Sequence, residues 1–199
     1  MCAMRFLIMP SLLALTACAT AMADQPDCGI DYAAIKAEEI AIIDRGIQVY
    51  ARIHPDERTE EQLGQMAAAF ELLSDRERPV DAADEAILER ALELFSSEAV
   101  WNREDDRDCD PDGDLYSIFC ALQQASHDVI GEYQHRRTAL QEVRFVIAAR
   151  SEGRDYAHRM QDYNNDPRTS FTQARSTMEE ALHVVRDRLA LQARCELPG

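Results

Sequence analysis

The densest set of ionisable and hydrogen-bonding side chains lies in the second half of the sequence, in a stretch with few apolar residues. A cleft that binds a small ligand or a peptide needs such groups close together. A loop whose arginines pair with aspartates and whose asparagines cap helices needs them equally. The sequence favours the loop and keeps a ligand-binding site as the alternative for these residues: His135, Arg136, Arg137, Tyr156, His158, Arg159, Asp162, Tyr163, Asn164, Asn165 and Asp166.

Four aspartates at alternate positions have the spacing of the first ligands in a calcium-binding loop. Gly113 stands where that loop turns sharply, but its last position, which should supply a bidentate glutamate, is Phe119. Aspartates also stabilise the positive N-terminus of a following helix, and we expect that role here. The candidate calcium ligands are Asp108, Asp110, Asp112 and Asp114.

The remaining motifs do not make a catalytic set. Glu132 with His135 and Glu180 with His183 have the spacing of di-iron ligands in helical bundles. Helical periodicity, however, turns His135 and the second pair away from the apolar stripes of their helices. No serine lies in a G-x-S-x-G turn. We therefore expect a binding protein without a cofactor rather than an enzyme.

The N-terminus has the pattern of an export signal. Residues 1–23 carry one charge, Arg5, followed by an apolar run too short to span a bilayer permanently. The run ends in Leu-Thr-Ala-Cys, which is typical of bacterial lipoproteins and predicts a lipid on Cys18. Cleavage after Ala23, which gives a soluble exported protein, is the alternative. We expect a lipoprotein on the periplasmic face of the outer membrane, or otherwise a soluble periplasmic or secreted protein.

Four cysteines remain after the signal peptide is removed, and an exported protein is expected to oxidise them. Three pairings are possible. The helix layout favours Cys28 with Cys195, at the two ends of the mature chain, and Cys109 with Cys120, at the start of the fourth helix. We therefore predict two disulfides.

Composition and charge exclude several classes of protein. The 199 residues are 46% hydrophobic, which is typical of one folded domain. With 37 acidic and 21 basic residues, the chain lacks the positive field that nucleic acid requires. Residues 24–114 contain 26 acidic and 9 basic residues, whereas residues 115–199 contain 11 of each. The acidic half is expected to be a solvated face, with a docking surface for a basic partner as the alternative.

From residue 30 onward the apolar periodicity is helical. It predicts an all-α fold, an antiparallel bundle of five or six helices in a single domain over residues 24–199. Capping signals stand at Thr59, Asp81, Thr138 and Ser170, and the fourth helix is expected from Asp114. Around residues 131–138 that helix either breaks or bends. A short helix followed by a loop is expected between residues 153 and 170.

These observations predict an exported envelope protein that acts as a non-enzymatic binding or scaffolding module on another envelope or secreted protein. Two alternatives remain open. The polar segment at residues 156–166 could serve an enzyme or a small-ligand-binding protein. The acidic first half could suit an inhibitor of a basic secreted hydrolase. The oligomeric state is not predicted.

Overall fold

Seven α-helices form the described part of the chain, which contains no β-strand. The computed structural model describes residues 31–76, 78–151 and 153–196, without the side chains of residues 32, 33, 195 and 196. The predicted all-α class is confirmed, with seven helices where five or six were expected. They are α1 (Tyr32–Arg52), α2 (Glu60–Ser74), α3 (Ala82–Leu94), α4 (Ile118–Ile130), α5 (Thr138–Arg150), α6 (Arg159–Asn165) and α7 (Phe171–Glu196).

Three helix starts follow from local sequence signals, as predicted. The Thr59 side chain accepts the N–H of Gln62, whose own side chain accepts the N–H of Thr59. Ser170 and Gln173 make the same reciprocal pair ahead of α7. Asp81 accepts backbone N–H groups in the first turn of α3. Each cap satisfies helix-terminal donors that otherwise have no partner in the helix.

The start of α4 differs from the prediction. The helix begins at Ile118 rather than at Asp114, because Tyr116 forms an isolated parallel β-bridge with Trp101 and its backbone is therefore extended. Leu115, which the predicted helix would include, is 56% exposed. The bridge joins two points of the long loop over residues 95–117, which is named here the α3–α4 loop.

The helices α4 and α5 are separate, which decides between the two alternatives left open by the sequence. Gly131 adopts a left-handed conformation, with φ 78°, and ends α4. Thr138 does not cap α5 as predicted. It is the first residue of the helix, and its hydroxyl donates to the carbonyl of Pro79 at 2.9 Å. Residues 131–137 therefore form a loop, named here the α4–α5 loop.

The apolar core lies among α3, α4, α5 and α7, with α6 closing one side. Helix α3 packs against α4 and α7, and α5 packs against α7 and α6. Removal of these side chains from water stabilises the fold by about 25 cal/mol per Å². The largest fully buried apolar side chains here are Ile87, Leu88, Phe95, Ile118, Leu122, Leu140, Val143, Ile147 and Met178.

Helices α1 and α2 form a hairpin, and each of them packs mainly against the other. At Gly46 the two backbones approach so closely that a Cβ there would lie 2.3 Å from the Cβ of Ala69 and 2.5 Å from the carbonyl oxygen of Gln65. Only glycine fits this crossing without moving α2.

Ion pairs join the hairpin to the rest of the molecule. Lys36 contacts the carboxylates of Asp81 and Asp84 on the α3 side, and Arg137 pairs with the same two aspartates. Glu39, on α1, pairs with Arg78 at 3.1 Å. This junction is thus held by charges that neutralise one another.

One of the two predicted disulfides, between Cys109 and Cys120, is confirmed. The pairing of Cys28 with Cys195 and the signal peptide at residues 1–23 involve parts of the chain outside the described residues. Within those residues, no helix is both long and apolar enough to cross a membrane.

Candidate functional site

The polar segment between Tyr156 and Asp166 divides into two parts. Tyr163, Asn164 and Asp166 are buried. Asn164 and Asp166 form hydrogen bonds with neighbouring segments, and the Tyr163 ring meets the Tyr156 ring edge-on. His158 and Arg159 are exposed and line a cleft. Both interpretations left open by the sequence therefore have a place in this segment.

Asn164 holds the long α3–α4 loop against α6. Its side-chain oxygen accepts the indole N–H of Trp101 at 2.8 Å and the backbone N–H of Ile118 at 3.2 Å. Its amide group donates to the carbonyl of Asn102 at 2.9 Å. The neighbouring Asn165 bonds both the N–H and the carbonyl of Asp105. These two asparagines are structural, since their bonds hold the α3–α4 loop and the first residue of α4 against α6.

Asp166 is the centre of a second structural cluster. Its carboxylate accepts hydrogen bonds from Arg168 at 2.8 and 3.0 Å, from the Tyr156 hydroxyl at 2.6 Å and from Arg154 at 3.1 Å. The Arg168 guanidinium, followed by the Tyr156 hydroxyl, holds the pKa of Asp166 well below its usual range. We call these four residues the Asp166 cluster.

The cleft beside this cluster has a volume of about 620 Å³, within the range of small-molecule sites. The α3–α4 loop, α4, the α4–α5 loop, α5 and the start of α6 all contribute to its walls. Both charge signs, two imidazoles and apolar groups are present. The lining side chains are Asp106, Arg107, Asp108, Phe119, His135, Arg144, Ala157, His158, Arg159, Met160 and Gln161.

Arg144 is the least expected of these residues. It is half-buried on α5, and no described Asp or Glu forms an ion pair with it. Its guanidinium donates to the carbonyl of His135 at 2.9 Å and lies 3.2 and 3.3 Å from the two nitrogens of that imidazole. Burial lowers the pKa of Arg144; its interaction with Tyr133 opposes this shift, and the charges of Arg159 and Arg136 add to it. A desolvated cation without a counter-charge is costly and often marks a functional site.

Two further guanidiniums line the same cleft without a described carboxylate partner. Arg159 opens α6, and Arg107 lies in the α3–α4 loop. Arg107 has φ 65°, and its N–H donates to the buried carboxylate of Asp105 at 2.8 Å. Non-glycine residues adopt this conformation only where the surroundings impose it. The three arginines thus come from three separate elements.

His135 joins the arginines to an aromatic wall. Its Nδ1 lies 2.7 Å from the Tyr133 hydroxyl, and the Tyr133 ring meets Phe119 edge-on at 5.8 Å. Loss of water around the imidazole lowers the pKa of His135 to about 3, and the charges of Arg144, Arg136 and Arg107 act in the same direction. The imidazole is therefore neutral at pH 7, and one of its ring nitrogens can accept a hydrogen bond.

Several predicted site residues lie away from the cleft. Arg136 pairs with Asp44 of α1 at 2.6 Å, and Arg137 belongs to the hairpin junction. Asp162 accepts the backbone N–H of His158 at 2.7 Å instead of pairing with an arginine. Adjacent residues of the α4–α5 loop thus point to different neighbours, which sequence proximity alone does not reveal.

The four alternate aspartates do not converge. No group of three or more His, Cys, Asp or Glu side chains is placed to hold a metal ion within the described ranges. Local turns account for part of the pattern, because the N–H of Asp112 donates to the Asp110 carboxylate at 3.0 Å. Similarly, the N–H of Asp108 donates to Asp106 at 2.9 Å.

Sequence reasoning missed Arg107 and Arg144 as site residues. Arg144 had a usable signal, since it interrupts the apolar repeat of α5 beside the buried Val143 and Val146. Arg107 had none, because it lies in an irregular loop whose course depends on distant contacts. Among the predicted candidates, His135, His158 and Arg159 do line the cleft together.

Residues 79–184, about half of the chain, match a family of unknown function, DUF6197. The chain belongs to this family. The matched residues include the whole lining of the cleft and the Asp166 cluster, whereas the α1–α2 hairpin precedes them. Comparison with curated proteins and with solved structures gave no match.

Proposed function

We propose that this protein is a non-enzymatic binding module whose cleft takes a small organic anion. The observation that carries the proposal is Arg144, a half-buried guanidinium without a carboxylate partner in the described structure. Arg107 and Arg159 add two further unpaired cations to the same walls. An anion supplied from outside would complete these contacts with charge-assisted hydrogen bonds.

The charge of the whole protein strengthens this argument. The chain has a formal net charge of −16, so carboxylates are plentiful and most positions near a guanidinium could have held one. Many arginines do have such a partner: Glu142 is fully buried between Arg76 and Arg188, and Arg150 pairs with Glu180. Other described arginines also lack a carboxylate, such as Arg45 and Arg58, but they lie outside this cleft, whereas Arg107, Arg144 and Arg159 share it.

Apolar groups in the cleft indicate an organic anion rather than an inorganic one. Phe119 and Met160 lie on its walls, and Phe119 continues into the aromatic contacts of Tyr133 and His135. Small-molecule sites combine such apolar surface with a few polar groups that orient the ligand. The ligand we expect carries its charge at one end and an apolar body at the other.

We further propose that the protein works outside the cytoplasm, as the N-terminal pattern indicates. In this proposal Cys18 carries a lipid, Cys28 pairs with Cys195, and the main helices alternate in direction as an antiparallel bundle. The Cys109–Cys120 disulfide is compatible with an oxidising compartment. Intact mass of the membrane-extracted protein tests the lipid, since a mature chain that starts at Asp24 without acyl groups would contradict it.

Calorimetric titration with benzoate, phenyl phosphate and the neutral benzyl alcohol tests anion binding. We expect at least one anion to bind, no heat from the alcohol, and an affinity loss of at least about tenfold in Arg144→Gln. Arg45→Gln is the matched control, because Arg45 is exposed on α1, outside the cleft. Equal responses to anions and alcohol, or equal losses in both variants, would refute the proposed function.

A further inference from the structure

We infer, resting on the proposed function, that the anion is the dianionic phosphate monoester of an aromatic or similarly flat apolar group. The inference names the ligand class of the same cleft. It depends on how many guanidiniums face the cleft, on the separate elements that supply them, and on the rings beside them.

The number and origin of the guanidiniums favour phosphate over carboxylate. A single arginine fork satisfies both oxygens of a planar carboxylate. Here Arg107 comes from the α3–α4 loop, Arg144 from α5 and Arg159 from the start of α6. A carboxylate would leave some of these groups unpaired. A phosphate monoester presents three terminal oxygens in a tetrahedral arrangement and can accept bonds from several directions at once.

Rings along one wall suit a flat apolar group. The Phe119 and Tyr133 rings meet edge-on at 5.8 Å, and the Tyr133 and His135 rings do the same at 5.8 Å. Phe119 and His135 both line the cleft, and Met160 adds a flexible apolar contact. Aromatic groups favour such edge-on and offset contacts with other rings. An aromatic ester group can therefore pack here while its phosphate reaches the guanidiniums.

The charged side chains of the cleft are positive on balance. Asp106 and Asp108 line the cleft on either side of Arg107, so the three guanidiniums exceed the carboxylates by a single charge. Two imidazoles, His135 and His158, line the same walls, and a neutral imidazole can donate one hydrogen bond. This excess of positive charge attracts an anionic ligand.

The test compares four ligands by calorimetry at pH 7.5 on the complete, oxidised protein. Phenyl phosphate is the aromatic dianion, and methyl phenyl phosphate keeps its ring and phosphorus with one charge fewer. Benzoate is a carboxylate monoanion, and methyl phosphate is a dianion without a ring. We expect phenyl phosphate to bind at least about tenfold tighter than each of the other three.

Two variants show which arginines give the cleft its preference for a phosphate monoester. Arg159→Gln changes an exposed residue without a described side-chain hydrogen bond, so the fold is preserved, and it should weaken phenyl phosphate more than benzoate. Arg144→Gln should weaken both, and Arg45→Gln neither. If phenyl phosphate, methyl phenyl phosphate and benzoate bind equally and Arg144→Gln weakens all three, the phosphate monoester is wrong and anion binding stands. If methyl phosphate binds as tightly as phenyl phosphate, the prediction of an aromatic group is wrong. If no anion binds, or if neither Arg144→Gln nor Arg159→Gln weakens binding, both proposals fail.

Discussion

The Asp166 cluster and the cleft use the same kinds of side chain in adjacent segments, but only the cluster is electrostatically complete. Arg154 and Arg168 share the carboxylate of Asp166. Arg144 and Arg159, within the cleft, have no such partner among the described residues. A guanidinium whose partner is built into the fold stabilises the fold, whereas one without a partner is available to a ligand.

The hairpin junction shows that burial alone does not distinguish these cases. Lys36 is 5% exposed and Arg137 is 8% exposed, so both are more buried than Arg144. Both nevertheless contact Asp81 and Asp84. The presence of a counter-charge, and not the depth of the cation, therefore separates the structural clusters from the cleft.

Removal of the central carboxylate of the cluster should have the largest effect on stability. We expect Asp166→Ala to lower the free energy of unfolding by about 3 kcal/mol, because Tyr156 and Arg154 lose a charged acceptor in partly buried positions. Asp155→Ala, an exposed aspartate of the same segment, is the control and should change it by less than about 0.5 kcal/mol. Urea unfolding measures both. A loss below about 1 kcal/mol for Asp166→Ala would contradict the structural role that distinguishes the Asp166 cluster from the cleft.

Loss of the disulfide should come next. It links Cys109 to Cys120, 11 positions apart, and so fastens the loop that carries Arg107 to α4. We expect the double variant Cys109→Ser, Cys120→Ser to lose about 2 kcal/mol of stability, because a short cross-link restricts the unfolded chain. Phenyl phosphate affinity should fall as well, since the Arg107 wall loosens. Unchanged affinity would remove Arg107 from the site.

A change of pH should have a smaller effect on stability. The folded pKa of His135, about 3, lies below its unfolded value, because the site removes water and Arg144, Arg136 and Arg107 surround the ring. Below about pH 6.5 the unfolded state therefore binds more protons than the folded state does. The free energy of unfolding falls as the pH decreases below this value, and the contribution of His135 is fully present above it. When the pH is lowered from 7 to 5, we expect the free energy of unfolding to fall less in His135→Gln than in the wild type. His183→Gln, whose side chain is 77% exposed, is the control.

The smallest effect should be that of the unpaired arginine. We expect Arg159→Gln to change the free energy of unfolding by less than about 0.5 kcal/mol, because no described contact is lost. Arg154→Gln should cost more, since it breaks bonds to Asp166 and to the carbonyl of Arg150. Thermal unfolding of the two variants side by side provides the measurement. Equal losses would mean that the cleft arginine is structural after all.

The sequence by itself determined the all-α class, three capped helix starts and the Cys109–Cys120 pair. These features depend on residues close together in the chain, such as Thr59 with Gln62 or Ser170 with Gln173, so local spacing carries the information. The signal at Asp114 failed because a bridge between Tyr116 and Trp101 overrode the local helix preference. The polar segment was found, but its division into a structural part and a cleft part was not.

Only the tertiary structure decided which cations are neutralised. Arg136 lies 92 positions from Asp44, and Arg137 lies 56 from Asp81, yet each pair is in contact. Arg144, only seven positions after Arg137, meets an imidazole and a carbonyl instead of a carboxylate. Coulomb interactions depend on distance in space. Helix packing sets that distance, so no pattern of charges along the chain could have shown where a counter-charge is missing.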